Sequence, residues 1–187
     1  MSATKTIRLG SAVLIFVCWS AQSYAGPAED NVIGAFESFC LDNLNAPDRA
    51  IRLIDALGLP KIPEPDRAIL MDDHPGRAWI SSGENQKYFI KLSTDGVCSI
   101  SSPFADGNAV RQLFERLSRS KRLSTQNAGS ETQTIFAVTH PDPRGADDGH
   151  SIVMVQSSEL QSGGAGLTSV PENAAKAAGL NVPQVWP

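Results

Sequence analysis

Tyr88-Phe-Ile-Lys-Leu-Ser-Thr-Asp-Gly-Val-Cys-Ser-Ile-Ser101 is the stretch on which the fold turns. Tyr88, Ile90 and Leu92 alternate with other residues, the period of a strand with one buried face. Asp95-Gly96 follows, a pair suited to a tight hairpin because such turns need positive φ. Val97–Ser101 then reads as the partner strand, carrying Cys98.

Upstream, the period lengthens. From Glu29 to Asn45, Val32, Phe36, Phe39, Cys40 and either Asn43 or Leu44 share one side of a helix. Glu29 and Asp30 sit in its first turn, where the helix dipole favours acids. Pro47 opens a second helix with a buried stripe at Ala50, Ile51, Ile54 and Leu57, and Gly58 ends it. Pro60, Pro63 and Pro65 make the next segment extended or turning. Residues 67–76 fit either a helical turn or a loop wall. Ala78–Ser81 is a short strand.

Downstream, Ser102-Pro103 breaks the strand, and Asp106 caps a helix running to Ser118. Its apolar set is Val110, Leu113, Phe114 and Leu117. Residues 124–131 read as polar linker. Thr132–His140 and Ser151–Ser157 are strands, apolar on both faces as central strands are. Gln161-Ser-Gly-Gly-Ala-Gly166 has linker composition.

The pattern predicts an α+β domain over residues 26–159. Its antiparallel sheet has about five strands, with the N-terminal helices and one central helix mainly on one face. Residues 160–187 read as a flexible tail outside the core, with a weak helix over Pro171–Ala178 stopped by Gly179, and with Trp186 dangling rather than docked in a groove.

The N-terminal 25 residues have the order of a secretory signal. Lys5 and Arg8 precede an apolar run from Ala12 to Trp19, and small side chains stand at Ser23 and Ala25. Cleavage is expected after Ala25. The run is about half the roughly 20 residues that span a bilayer, so no stable span is expected after cleavage. Ile15-Phe-Val17 before Cys18 is not a lipid-attachment box. Removal of the leader takes the formal charge from −4 to −6, because Lys5 and Arg8 leave without any acid. Such a chain is a poor nucleic-acid ligand.

Cleavage also removes Cys18 and leaves Cys40 and Cys98. Two cysteines in an oxidising compartment predict one disulfide, expected to join the first helix to the hairpin. Neither has a His or Lys beside it in sequence to activate a thiolate.

Several constellations bear chemistry. His140, Asp142, Asp147, Asp148 and His150 stand around one loop and offer zinc-type ligands, though in no standard spacing. Asp72-Asp73-His74 offers an acid–base pair beside a Pro-Gly turn. Arg111, Arg116, Arg119, Lys121 and Arg122 are a basic cluster that offers attraction for phosphate or anionic lipid, or else the ordinary cations of a helix C-terminus. Trp79, Tyr88 and Phe89 fit a core or a ligand groove. No G-x-S-x-G, S-x-x-K or H-E-x-x-H motif is present.

Phe36-x-x-x-Cys40-x-x-Asn43, Ala78-Trp79 and Asp95-Gly-Val-Cys-Ser99 resemble a family of small bacterial exported proteins and lipoproteins without known activity. The resemblance covers about residues 32–157, judged from where a domain core lies. It implies a periplasmic or envelope setting and supplies no catalytic residue. The expectation is a periplasmic or secreted, non-catalytic module binding a protein or small ligand of the envelope, with no cofactor. The alternative is a metal-binding protein or metal-assisted hydrolase built on the 140–150 loop.

Overall fold

In a computed structural model, residues 26–72, 74–83, 87–128, 130–141, 149–158, 164–180 and 182 are described. Residues 1–25, read as a leader, Asp73, the tip of the 140–150 loop with Asp142, Asp147 and Asp148, and Trp186 lie outside them.

Helix α1 (Pro27–Phe39) starts on a proline and carries Glu29 and Asp30 in its first turn. It buries Val32, Ile33, Phe36 and Phe39 along one side, the phase the sequence dictates. A 3-10 turn (Leu41–Asn43) leads to α2 (Pro47–Ala56), and α3 (Asp66–Leu70) is a single turn. Strands β1 (Gly76–Ser81), β2 (Tyr88–Ser93) and β3 (Cys98–Ser102) form an antiparallel meander. Gly96 takes φ +86° in the β2–β3 hairpin, a conformation that favours glycine.

Helix α4 (Gly107–Leu117) follows, and its Ala109 N–H donates to the capping Asp106 carboxylate at 2.7 Å. The Asp106 N–H donates to Glu29 Oε1 at 2.7 Å, which joins the starts of α1 and α4. The chain then enters β4 (Ser120–Ala128) and turns back through β5 (Glu131–His140), β6 (Gly149–Ser158) and β7 (Ala165–Pro171), before α5 (Glu172–Ala177).

The seven strands form one antiparallel sheet in the order β1-β2-β3-β7-β6-β5-β4. One meander enters from each edge, and the two meet where β3 pairs with β7.

The main core lies between one face of this sheet and helices α1, α2 and α4. Phe36, Phe114 and Phe136 stack edge-to-face through its centre, with ring centroids 6.0 and 5.4 Å apart. Cys40, at the end of α1, is disulfide-bonded to Cys98 on β3, with Cα atoms 5.5 Å apart. The predicted bond is therefore present and fastens α1 to the sheet.

The fold class is α+β with an antiparallel sheet, as expected, but three details differ. The sheet has seven strands rather than about five. Residues 120–128, expected in part as linker, form edge strand β4. Its described side chains are largely exposed, so it has no apolar face to announce it. The reading of 160–187 as a tail fails for residues 165–177: β7 is a central strand and α5 caps it. Small and hydroxylic side chains hide that role, because burial along β7 alternates strictly while its buried positions are Ala165, Leu167, Ser169 and Pro171.

Two further residues expected in apolar stripes, Leu57 and Leu117, are 59% and 58% exposed. Leu57 is the C-cap residue just after α2, and Leu117 is the last residue of α4.

Trp79 belongs to the core and is fully buried. Its indole N–H donates to Asp55 Oδ1 on α2 at 3.1 Å, while Asp55 Oδ2 meets Lys61 at 3.2 Å and Arg77 at 3.6 Å. These contacts, the Trp79 bond first, hold the Asp55 carboxyl below its ordinary value of 3.8. A carboxylate whose pKa falls on folding stabilises the protein above its unfolded pKa, and that contribution is lost as pH drops through the folded value. Asp55→Ala is expected to lower stability at neutral pH, because the buried indole N–H loses its acceptor. It is also expected to flatten the loss of stability below pH 3.8. Urea denaturation of both proteins at pH 7 and pH 3 checks this, and parallel pH profiles would refute it.

Candidate ligand-binding site

Cross-strand partners point to the same face of a sheet. The register therefore defines one row of side chains on the face opposite the main core. It runs Ala78, Lys91, Ser99, Thr168, Met154, Ile135, Ser124, from β1 to β4.

Two elements flank this face. Met71, just after α3, is buried at the β1 end, where a side chain added at Gly76 would meet its methyl at 2.6 Å. Helix α5 packs Ala175 against Ala137 and Ile152 and lies over the β6–β7 part of the same face. The span of the row from β2 to β4 carries two cavities.

A cavity of about 260 Å³ occupies the β2–β3–β7 part of the span. Lys91, Ser99 and Thr168 lie side by side across its floor, and Leu70, Met71 and Val97 give it apolar walls. Thr168 Oγ1 donates to Ser99 Oγ at 3.0 Å. Lys91 is half-buried, and burial pushes its ammonium below the ordinary value of 10.5. Among the described residues no carboxylate pairs with it.

Two acids, Asp72 and Asp95, and His74 also line the cavity. Asp95 is engaged in the hairpin. The Ser93 hydroxyl donates to it, the Val97 N–H lies at 3.5 Å, and its carboxyl is held below the ordinary range, chiefly by Ser93 and in part by His74. Lys91 is thus a cation on a partly dry floor, beside two hydroxyls, in a cavity whose acids Asp72 and Asp95 form no ion pair with it among the described residues. Such a group gains most from an anion brought in by a ligand. It does not form a nucleophile–base pair with Ser99. The two are cross-strand partners, but no hydrogen bond joins them among the described residues, and activation of a serine needs one.

A second cavity of about 640 Å³ lies further along the same face, lined by Leu123, Ser124, Ile135, Ile152, Met154, Val170 and Leu180. No charged group lines it among the described residues.

The constellations singled out in the sequence are distributed differently. His140 pairs with Gly149 and His150 with Thr139. Neighbouring residues on a strand point to opposite faces, so the two histidines stand on opposite sides of the sheet. His140 Nε2–H donates to Asp42 at 2.7 Å, near Glu37, whose carboxyl is pushed up chiefly by burial. His150 shares a hydrogen bond of 3.2 Å with Thr139 on the other face.

His74 stands at the rim of the smaller cavity, so the three histidines do not form one cluster. Among the described residues no three His, Cys, Asp or Glu side chains are grouped to hold a metal ion. The basic cluster is split between α4 and β4, and Arg111 and Arg122 both pair with Glu115. Trp79 and Phe89 point to opposite faces, since Trp79 pairs with Ile90 and not Phe89. They line no common groove.

Lys91, Ser99 and Thr168 were not legible as a site. The alternation that buries Ile90 and Leu92 sends Lys91 to what looks like an ordinary solvent face. Only the central position of β7 brings Thr168 beside Ser99. No family model, curated protein or solved structure matches the chain.

Proposed function

We propose that this protein is an exported, non-catalytic binding module that holds a small anionic ligand in the Lys91 cavity. One observation carries the reading. Lys91 is half-buried at the floor of a cavity of about 260 Å³, flanked by hydroxyls and without an acidic partner among the described residues. Sites for small molecules are concave, largely apolar and equipped with a few placed polar groups, and this cavity has those parts.

Export to the periplasm or secretion is supported by the Cys40–Cys98 disulfide, a bond typical of oxidising compartments. The leader-like composition of residues 1–25 supports it as well. No described helix is long and apolar enough to cross a membrane. We place the chain, on its motifs, beside the small bacterial exported proteins it resembles.

The test is calorimetric titration of the purified protein with short carboxylates and with inorganic phosphate. Binding to at least one of them is expected, weakened tenfold or more in Lys91→Met, the cost of about 1.4 kcal/mol for one lost charge-assisted contact. Equal affinities in the two proteins would refute the reading. Without ligand, Lys91 is less readily protonated in the folded chain than in the unfolded one. Stability is therefore expected to rise with pH through the alkaline range up to about 10.5. Lys91→Met removes that rise.

A further inference from the structure

We infer that the ligand is a single-chain amphiphile, a long-chain carboxylate whose head lies at Lys91 and whose tail runs across the sheet into the second cavity. The inference rests on the anion-binding reading of the Lys91 cavity and names its substrate class.

The two cavities are neighbours in the strictest sense the sheet allows. Thr168 lines the first, Met154 lines the second, and the two are cross-strand partners. Between Lys91 and Ile135 on the shared row the chemistry changes once. Lys91, Ser99 and Thr168 are polar, and Met154 and Ile135 are apolar, with Ile152 and Val170 beside them.

A ligand following the row would place an anion where the unpaired ammonium and two hydroxyls lie. Its hydrocarbon would cover side chains that the fold leaves half-exposed. Met154, Ile135 and Val170 are only partly buried, and Leu123 and Leu180 are 40% and 48% exposed. Apolar surface of this kind beside a half-buried cation matches one head and one tail, not a uniformly polar solute.

The length follows from the strand spacing. From β2 to β5 is four steps of about 4.8 Å, or roughly 19 Å. An extended chain rising about 1.3 Å per carbon, from bonds of about 1.5 Å, covers that distance with about fourteen carbons.

The experiment is a calorimetric series on the full folded protein with butanoate, octanoate, dodecanoate and tetradecanoate, each below its micellar concentration. Dodecanol and dodecylamine serve as head-group controls. Affinity is expected to rise with chain length by up to about fourfold per methylene, from roughly 0.8 kcal/mol per buried CH₂, and to level off near fourteen carbons. Dodecanol and dodecylamine are expected to bind at least tenfold more weakly than dodecanoate. Met154→Glu places a charge under the tail. It is expected to abolish the chain-length gain while leaving butanoate unchanged.

Carboxylates that bind with one affinity at every length would overturn the inference and leave the anion pocket standing. Failure of every acid to bind would remove the anion pocket itself. Dodecanol binding as tightly as dodecanoate would also overturn the inference, because the head would then make no contact with Lys91. If Met154→Glu loses its cooperative unfolding, the head-group and chain-length comparisons on the unmodified protein decide the matter alone.

Discussion

A chain ended after Ser158 will not fold. It keeps all the helices of the main core and six of the seven strands, yet it lacks the strand between β3 and β6. Without β7 the two meanders share no ladder, and the backbone groups of β3 and β6 that now pair with it face each other across a gap. Leu167, fully buried, and Ala165 leave the floor beneath α4 at the same time. Unpaired buried backbone groups cost about 1–3 kcal/mol each, and a domain of this size has about 5–15 kcal/mol in total. A few such groups exhaust that margin. The expected result is a collapsed amide spectrum by NMR and no cooperative thermal transition. A chain ended after Val182 retains β7 and α5 and is expected to melt cooperatively. Dispersed amide resonances from the shorter chain would show that the two meanders hold together through the helices alone.

The second large effect concerns the disulfide. Cys40→Ala with Cys98→Ala is expected to lower stability by about 4 kcal/mol, the chain-entropy value for closing a loop of about 59 residues. The bond joins the last turn of α1 to the first residue of β3, and both sulfurs lie in the core, with Cys40 and Cys98 each 2% exposed. The variant therefore also loses packed volume. Urea denaturation of the unmodified protein with and without a reductant, beside the double variant, checks this. The reduced protein and the variant should fall to similar midpoints. A midpoint unmoved by reductant would mean that the unfolded chain is already as compact without the link.

Elements whose side chains announce their burial were legible in the sequence. Helix α1 was readable because Val32, Phe36 and Phe39 are large, apolar and in phase. The β2–β3 hairpin was readable because Asp95-Gly96 leaves little choice of turn. Strands β5 and β6 were readable from their apolar runs, and the Cys40–Cys98 pair from its parity once Cys18 is assigned to the expected leader. Strand β4 carries Lys121, Arg122, Ser124, Thr125, Gln126 and Asn127, and it is held by backbone pairing along one edge. Hydrophobic periodicity has nothing to detect there. Strand β7 is the reverse case, buried on alternate residues but with small ones, and the linker-like Gly163-Gly164 before it points away from regular structure.

The candidate site was illegible for the same reason, since its lysine, serine and threonine come from three strands that only the closed sheet makes adjacent. The 140–150 loop attracted notice in the sequence because its histidines are near each other along the chain, and strand alternation is what separates them.

The position of β7 has a consequence for how the polypeptide reaches its native form. Residues 40 and 98 are both available long before residue 165 is made or emerges from any channel, so the covalent link can precede completion of the sheet. The joint between β3 and β7, by contrast, unites positions about seventy apart in the chain and waits for the last third of the molecule. Assembly dominated by such distant partners is slow and leaves unpaired strand edges open in the interval. Until β7 is made, the edge of β3 stays open, and that interval is when the chain is most exposed to wrong strand pairing.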